Sequence, residues 1–126
     1  MEINDADISR LNREAVEFLQ ELQDKYESPT TPVVISGNLG PLGDAYKSSA
    51  GLSIDSARAC YRSQVEALCE AGVDMLSTLT LNNTTEAIAA AQLAKEKDMP
   101  MMVSFCVETN RLLLEGKSLA DAVQCC

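Results

Sequence analysis

Three short apolar runs, at 33–35, 73–80 and 101–107, are separated by segments whose apolar residues step by three and four, and this alternation constrains the chain more than any other feature. Val33, Val34 and Ile35 are β-branched and uninterrupted, which suits a strand buried on both faces, as in a parallel sheet. Ahead of them, Ile8, Leu11, Ala15, Phe18, Leu19, Leu22 and Tyr26 mark one face of a helix that Asp5 can cap and Ser28-Pro29 ends. That face is expected to pack on the body of its own domain. Ser53 is the expected cap of a second helix through Ala57, Tyr61, Val65 and Leu68, with Gly72 as its left-handed closing residue. Asn82-Asn83 turn the chain after the second strand, and Asn83 with Glu86 three residues on has capping-box spacing, opening an alanine-rich helix to about Lys97. Pro100 starts the third strand, and a last helix begins near Ser118. The order α, β, α, β, α, β, α predicts an α/β fold of parallel strands joined by right-handed crossovers. Spacing alone fits a (β/α)8 barrel or a doubly wound sheet.

The first run opens into GNLGPLGDAY, residues 37–46. Gly37, Gly40, Pro41 and Gly43 are expected to forbid regular structure there, and glycines let a ligand approach the backbone closely. A loop at the carboxyl end of a strand is where α/β proteins bind ligands. A tight connection that binds nothing fits the same residues.

The chain is 126 residues long, one domain at most, and its 10 Lys plus Arg against 19 Asp plus Glu give a formal charge of -9. Such a charge argues against a nucleic-acid or anionic-membrane surface and favours small-molecule or protein partners. The apolar runs fall far short of the roughly 20 residues that span a bilayer. The start, MEINDADISR, has no basic n-region with an apolar h-region, so the expected location is cytoplasmic. Five cysteines make an odd number without a CxxC pair, which predicts reduced thiols. Cys60 and Cys69 in the second helix and Cys106 in the third strand are expected to act as small buried hydrophobes. The absence of histidine removes the commonest neutral-pH acid/base and zinc ligand, so a self-contained metal or triad site is not expected.

Three segments taken in order, GNLGPLGDAY, QVEALCEAGVDMLSTLTL followed by EAIAAAQLAKEKDMP, and SFCVETNRLLLEGKSLADAV, resemble the homocysteine S-methyltransferases, in particular a branch with a GDxY loop and an SFxxE strand. The resemblance spans about Pro32 to Val123, and LNREAVEFL fits the helix that precedes it. It implies a zinc-dependent TIM (β/α)8 barrel that moves a methyl group from a cationic donor to homocysteine, giving methionine. Zinc would hold the substrate thiol as thiolate at neutral pH, ready to attack the donor's methyl carbon. The family's zinc is held by three cysteines, one after a later strand and an adjacent pair near the barrel's end, and all three would lie beyond Cys126. Cys125-Cys126 follow the SLADAV helix start and are therefore read as helix-borne cysteines, not as that pair.

By this resemblance residues 1–126 are a partial homocysteine-binding barrel domain, truncated at both ends, with about three parallel strands and flanking helices. Candidate substrate-binding residues are Gly37, Asn38, Gly40, Asp44 and Tyr46 of the first loop, Thr78 and Thr80 of the second strand, and Glu108 after the third. Leu79-Thr80 stands where many family members carry a Glu-Thr pair that helps bind the amino acid. Glu108, at the end of the next strand, is offered as a substitute carboxylate. Asp74 is expected to meet backbone donors, and Glu86 to partner a cap. No catalytic or metal-ligating residue is assigned to this chain. If the polypeptide ends at Cys126, its sheet edges and inward face would be bare, which favours self-association over a stable monomer. Zinc binding and methyl transfer are then not expected of the chain alone. The alternatives are a non-catalytic remnant acting as an interaction fragment and an unrelated α/β binding domain.

Overall fold

The computed structural model, which describes residues 4–44 and 51–126, begins with α1 (Asp5–Tyr26). Its cap is Asn4, not Asp5. Asn4 Oδ1 accepts the Asp7 amide at 3.0 Å and the Asp7 carboxylate accepts the Asn4 amide at 3.4 Å, a reciprocal pair that satisfies two otherwise unpaired donors. Asp5 falls instead in the first turn, where its carboxylate complements the helix dipole and accepts the Ser63 hydroxyl at 2.9 Å.

α1 packs on the body of its own domain, against α2, as expected, but not through the predicted face. Val16 is its one buried residue, whereas Leu11, Phe18 and Tyr26 of the predicted sticky face remain exposed. Polar contacts add to this packing: Gln20 Nε2 donates to the Ala71 carbonyl at 3.1 Å and Gln23 Nε2 to the Val33 carbonyl at 2.8 Å. The apolar stripe runs beside this seam, and Leu19, Leu22 and Tyr26 border a groove of about 250 Å³ against Val33–Ser36.

The first strand also lies later than the apolar run predicts. β1 is Ser36–Leu39, so Gly37 and Asn38 belong to a strand and not to an irregular loop. Its start is set from across the sheet. The Ile35 amide donates to Asp74 Oδ2 at 2.7 Å and the Ile35 carbonyl accepts the Asp74 amide at 2.9 Å, which fixes where pairing begins. Asp74 thus meets a backbone donor, as the sequence predicts. From there burial alternates strictly, with Ile35, Gly37 and Leu39 buried and Val34, Ser36 and Asn38 exposed, so one face and not both is covered.

Helix α2 (Ile54–Ala71) is capped by Ser53 and closed by Gly72 at φ 88°, a left-handed conformation that glycine adopts without a Cβ clash. β2 (Met75–Leu81), α3 (Thr84–Glu96), β3 (Met101–Phe105) and α4 (Leu119–Cys125, capped by Ser118) complete the predicted order, although the third strand stops two residues short of Val107. The sheet order is β1-β2-β3 and both pairings are parallel. This is an α/β fold with a three-stranded parallel sheet.

The helices cover the face that carries Leu39 and Leu76. α2 buries Ala57, Tyr61, Val65 and Leu68 between α1 and the sheet, and the alanines of α3, Ala89, Ala90 and Ala94, let that helix come close to α2. Gly37 belongs to the same economy of space: a Cβ there would stand 2.9 Å from Leu68 Cδ1 and 3.2 Å from Leu76 Cδ2. Each large side chain sealed in this layer contributes about 1.5–3 kcal/mol.

Candidate functional site

The three parallel strands run the same way, so Gly40, Leu81 and Phe105 bring their following loops to one end of the sheet. On the uncovered face, just below that end, Ser36, Ser77 and Asn38 form a polar ladder. Ser36 Oγ donates to Ser77 Oγ at 3.0 Å, and Ser77 Oγ to Asn38 Oδ1 at 3.3 Å. Asn38 therefore presents an oriented amide on the face that the helices leave uncovered. Gly37 and Thr78 point the other way. Thr78 is in register with Leu39, fully buried under the helices, and its Oγ1 finds no partner among the described residues.

Thr80 is exposed and sits at φ 60°, a left-handed conformation that is costly for a β-branched residue, with its hydroxyl donating to the Leu79 carbonyl at 2.7 Å. The pairing of β2 with β3 breaks register between Thr78 and Leu81 at the same place. Such irregularities re-aim side chains at the ends of strands, and they recur next to active sites. Glu108 is exposed in a closed turn in which its amide donates to the Leu112 carbonyl and its own carbonyl accepts the Arg111 amide, both at 2.8 Å. Asp44 is exposed in the loop that follows β1. Tyr46 lies outside the described residues.

The first turn of α3 ties these loops together, which the sequence did not reveal. Glu86 is 3% exposed. Its Oε2 accepts the Leu42 amide at 2.8 Å and the Tyr61 hydroxyl at 2.7 Å, while Oε1 accepts Asn83 Nδ2 at 2.7 Å. The cap itself is half of the predicted box: Asn83 Oδ1 accepts the Glu86 amide at 2.9 Å, but the Glu86 carboxylate has gone to the glycine loop. From the other side, the loop between β3 and α4 reaches the same helix start. Glu115 Oε1 accepts the Thr84 amide at 3.0 Å, and Lys117 Nζ donates to Thr84 Oγ1 at 2.6 Å. Tyr61 was legible only as an apolar helix position. Burial first, and then the hydrogen bond and charge of Glu86, push its hydroxyl above the ordinary tyrosine range.

The cysteines do not converge. Cys60 is exposed and not a buried hydrophobe, because it falls on the outer side of α2; Cys69 and Cys106 are half-buried, and Cys106 follows β3 instead of lying within it. Cys125 ends α4 and Cys126 caps it, as the reading of helix-borne cysteines requires. Among the described residues no three His, Cys, Asp or Glu side chains are placed to hold a metal ion.

Comparison with known proteins bears directly on this arrangement. The family model described as "Homocysteine S-methyltransferase" matches residues 1–126. The chain belongs to the homocysteine S-methyltransferase family. It is 28% identical over 131 residues to the homocysteine S-methyltransferase of Escherichia coli (strain K12), with 96% of this chain and 42% of that protein covered. Crystal structures of the homocysteine methyltransferase MmuM from Escherichia coli superpose with TM-scores of 0.82 for the apo form, at 29% identity, and 0.86 for the metallated form, at 28%. These matches cover 98% and 97% of this chain and 47% and 46% of the solved chains. The chain thus spans a little under half the length of these relatives.

Proposed function

We propose that this chain supplies the middle of a homocysteine S-methyltransferase barrel and forms part of the rim at which homocysteine meets a cationic methyl donor. In the reaction the homocysteine sulfur forms a bond to the methyl carbon as the donor's bond to that carbon breaks, giving methionine. The observation that carries the reading is the convergence of three parallel-strand loops on the start of α3, in a chain whose family is established along its whole length. Residues 1–126 are a partial (β/α)8 domain in this reading, and the uncovered sheet face is the barrel interior.

The contributions of the chain's own residues follow from their positions. Asn38, held by Ser77, offers an amide inside the barrel, and Gly40 brings backbone close to a ligand at the mouth. Asp44 and Glu108 belong to loops at the same end, where carboxylates attract the substrate ammonium and a positively charged donor, and Tyr46, two residues past Asp44 in sequence, is a candidate by the resemblance alone. Thr80 turns the chain at the position of the family's Glu-Thr pair. Gly37 and Thr78 act from behind, as packing residues. The zinc that the family implies does not fit the described residues of this chain, which bring no three ligands together, so no step is assigned to it here.

Methyl transfer is to be tested on the protein expressed from the complete gene that carries this chain, with S-methylmethionine or a betaine as donor and methionine as the readout. Glu108→Gln is expected to raise KM for homocysteine about tenfold with kcat little changed, as loss of one charge-assisted contact would. An unchanged KM removes Glu108 from the site, and no methionine from any cationic donor overturns the reading.

Two further expectations belong to the same proposal. The five unpaired thiols support a cytoplasmic location, and no described helix is long and apolar enough to cross a membrane. Self-association of the isolated chain is supported by Val34, Leu79 and Met102, which remain exposed on the uncovered face between two open strand edges.

A further inference from the structure

We propose that Glu86, acting with Tyr61, is the positioning residue that fixes the Gly40–Leu42 backbone and so presents Asp44 at the carboxyl end of the sheet. The loop has little rigidity of its own. A Cβ added at Gly40 or Gly43 would meet nothing within 4 Å, and Gly43 sits at φ 147°, so packing at the two glycines themselves adds nothing, and the packed side chain between them is that of Leu42 against the core. Polar restraint of its backbone comes from two helices. The Leu42 amide donates to Glu86 Oε2 from 2.8 Å, and the Tyr61 hydroxyl stands 2.7 Å from that oxygen and 3.0 Å from the Gly40 carbonyl.

The chemistry of this clamp requires a carboxylate. Both Glu86 oxygens face donors, Leu42 N–H and Tyr61 O–H on one side and Asn83 Nδ2 on the other. A glutamine offers one acceptor oxygen and one NH2 group, so either orientation sets donor against donor in a buried place. A carboxylate needed only to support the helix start would accept from the Asn83 backbone and stay at the surface. Glu86 is instead 3% exposed and Tyr61 is 2% exposed. Burial at that level is tolerated for a carboxylate because every oxygen is met by a donor.

What the clamp is for rests on the reading of this loop as part of the substrate mouth; the clamp itself is read without ligand, so either can fail while the other stands. The experiment is amide hydrogen exchange on the 126-residue chain, comparing Leu42 with Leu76, whose amide donates to the Pro100 carbonyl within the sheet. Glu86→Gln is expected to speed exchange at Leu42 about tenfold, with Leu76 changed by less than about threefold. Tyr61→Phe is expected to speed Leu42 about threefold, and the double variant to match Glu86→Gln alone within about a factor of two, because both act through one contact. Unchanged Leu42 exchange in Glu86→Gln, equal acceleration at Leu42 and Leu76, or independent effects of the two substitutions would each overturn the proposal. Should Glu86→Gln fail to fold, Tyr61→Phe decides: local acceleration supports the clamp and its absence removes it.

Discussion

The two faces of the sheet are made by the same three strands and could hardly differ more. On the helix-covered face Leu39, Leu76 and Thr78 are fully sealed, and Gly37 gives up its side chain to let Leu68 in. On the other, Val34, Leu79 and Met102 keep 61%, 44% and 48% of their surface exposed, around a polar ladder of Ser36, Ser77 and Asn38. The covered face carries the stability of the piece, while the bare face keeps the composition of an interior. That difference explains why the strands read from sequence as buried on both sides: their residues suit the proposed closed barrel, in which the second face would be covered.

The sharpest way to break this contrast is to delete the same kind of mass from each face. Leu76→Ala is expected to lower unfolding free energy by about 2–5 kcal/mol, and Met102→Ala by less than about 0.5 kcal/mol, measured by denaturant unfolding at dilutions where sedimentation shows the chain to be monomeric. Equal losses in the monomer would mean that the chain itself covers the bare face. A smaller effect is expected where space and not mass is changed. Gly37→Ala should cost about 1–2 kcal/mol, because the new Cβ must push aside a Leu68 methyl that is itself buried.

The mildest test uses pH. Burial raises the folded-state ionisation of Tyr61 above its unfolded value of about 10, so the neutral hydroxyl stabilises the fold fully below that pH. Stability should fall as pH rises past about 10, where the unfolded chain sheds a proton that the folded chain keeps. Tyr61→Phe should flatten that decline in a thermal-unfolding series, and an unchanged slope would show that the hydroxyl is not sealed.

Interactions that act within a few residues leave a mark in sequence spacing, and those that act across the fold do not. Ser53, Asn83, Ser118 and Gly72 act on their own helices within a few residues, and their roles were legible from spacing alone. The start of β1 was not, because Asp74, 39 positions away, decides it by holding the Ile35 amide. Glu86 shows both cases in one residue. Its place beside the Asn83 cap could be read locally, but its carboxylate answers to Leu42 and Tyr61, 44 and 25 positions away. The face of α1 misled for a related reason: amphipathic spacing identifies a stripe that suits burial, and not whether a neighbour is there to cover Leu11, Phe18 and Tyr26. Among the candidate ligand-lining residues, Asn38, Gly40, Asp44, Thr80 and Glu108 lie on the uncovered face or at the carboxyl end, while Gly37 and Thr78 face the helices. Strand parity separates them once the register is known, and register was the missing quantity.

Thr80 has a consequence for how such a chain would change under selection. A β-branched residue at φ 60° is harder to accommodate than glycine or asparagine. A library varied at position 80 and sorted for heat resistance alone would drift away from threonine, whereas one sorted for the activity of the complete protein would retain it if the hydroxyl serves the ligand. The two sorted populations would record, in their residue frequencies, whether this turn is kept for folding or for use.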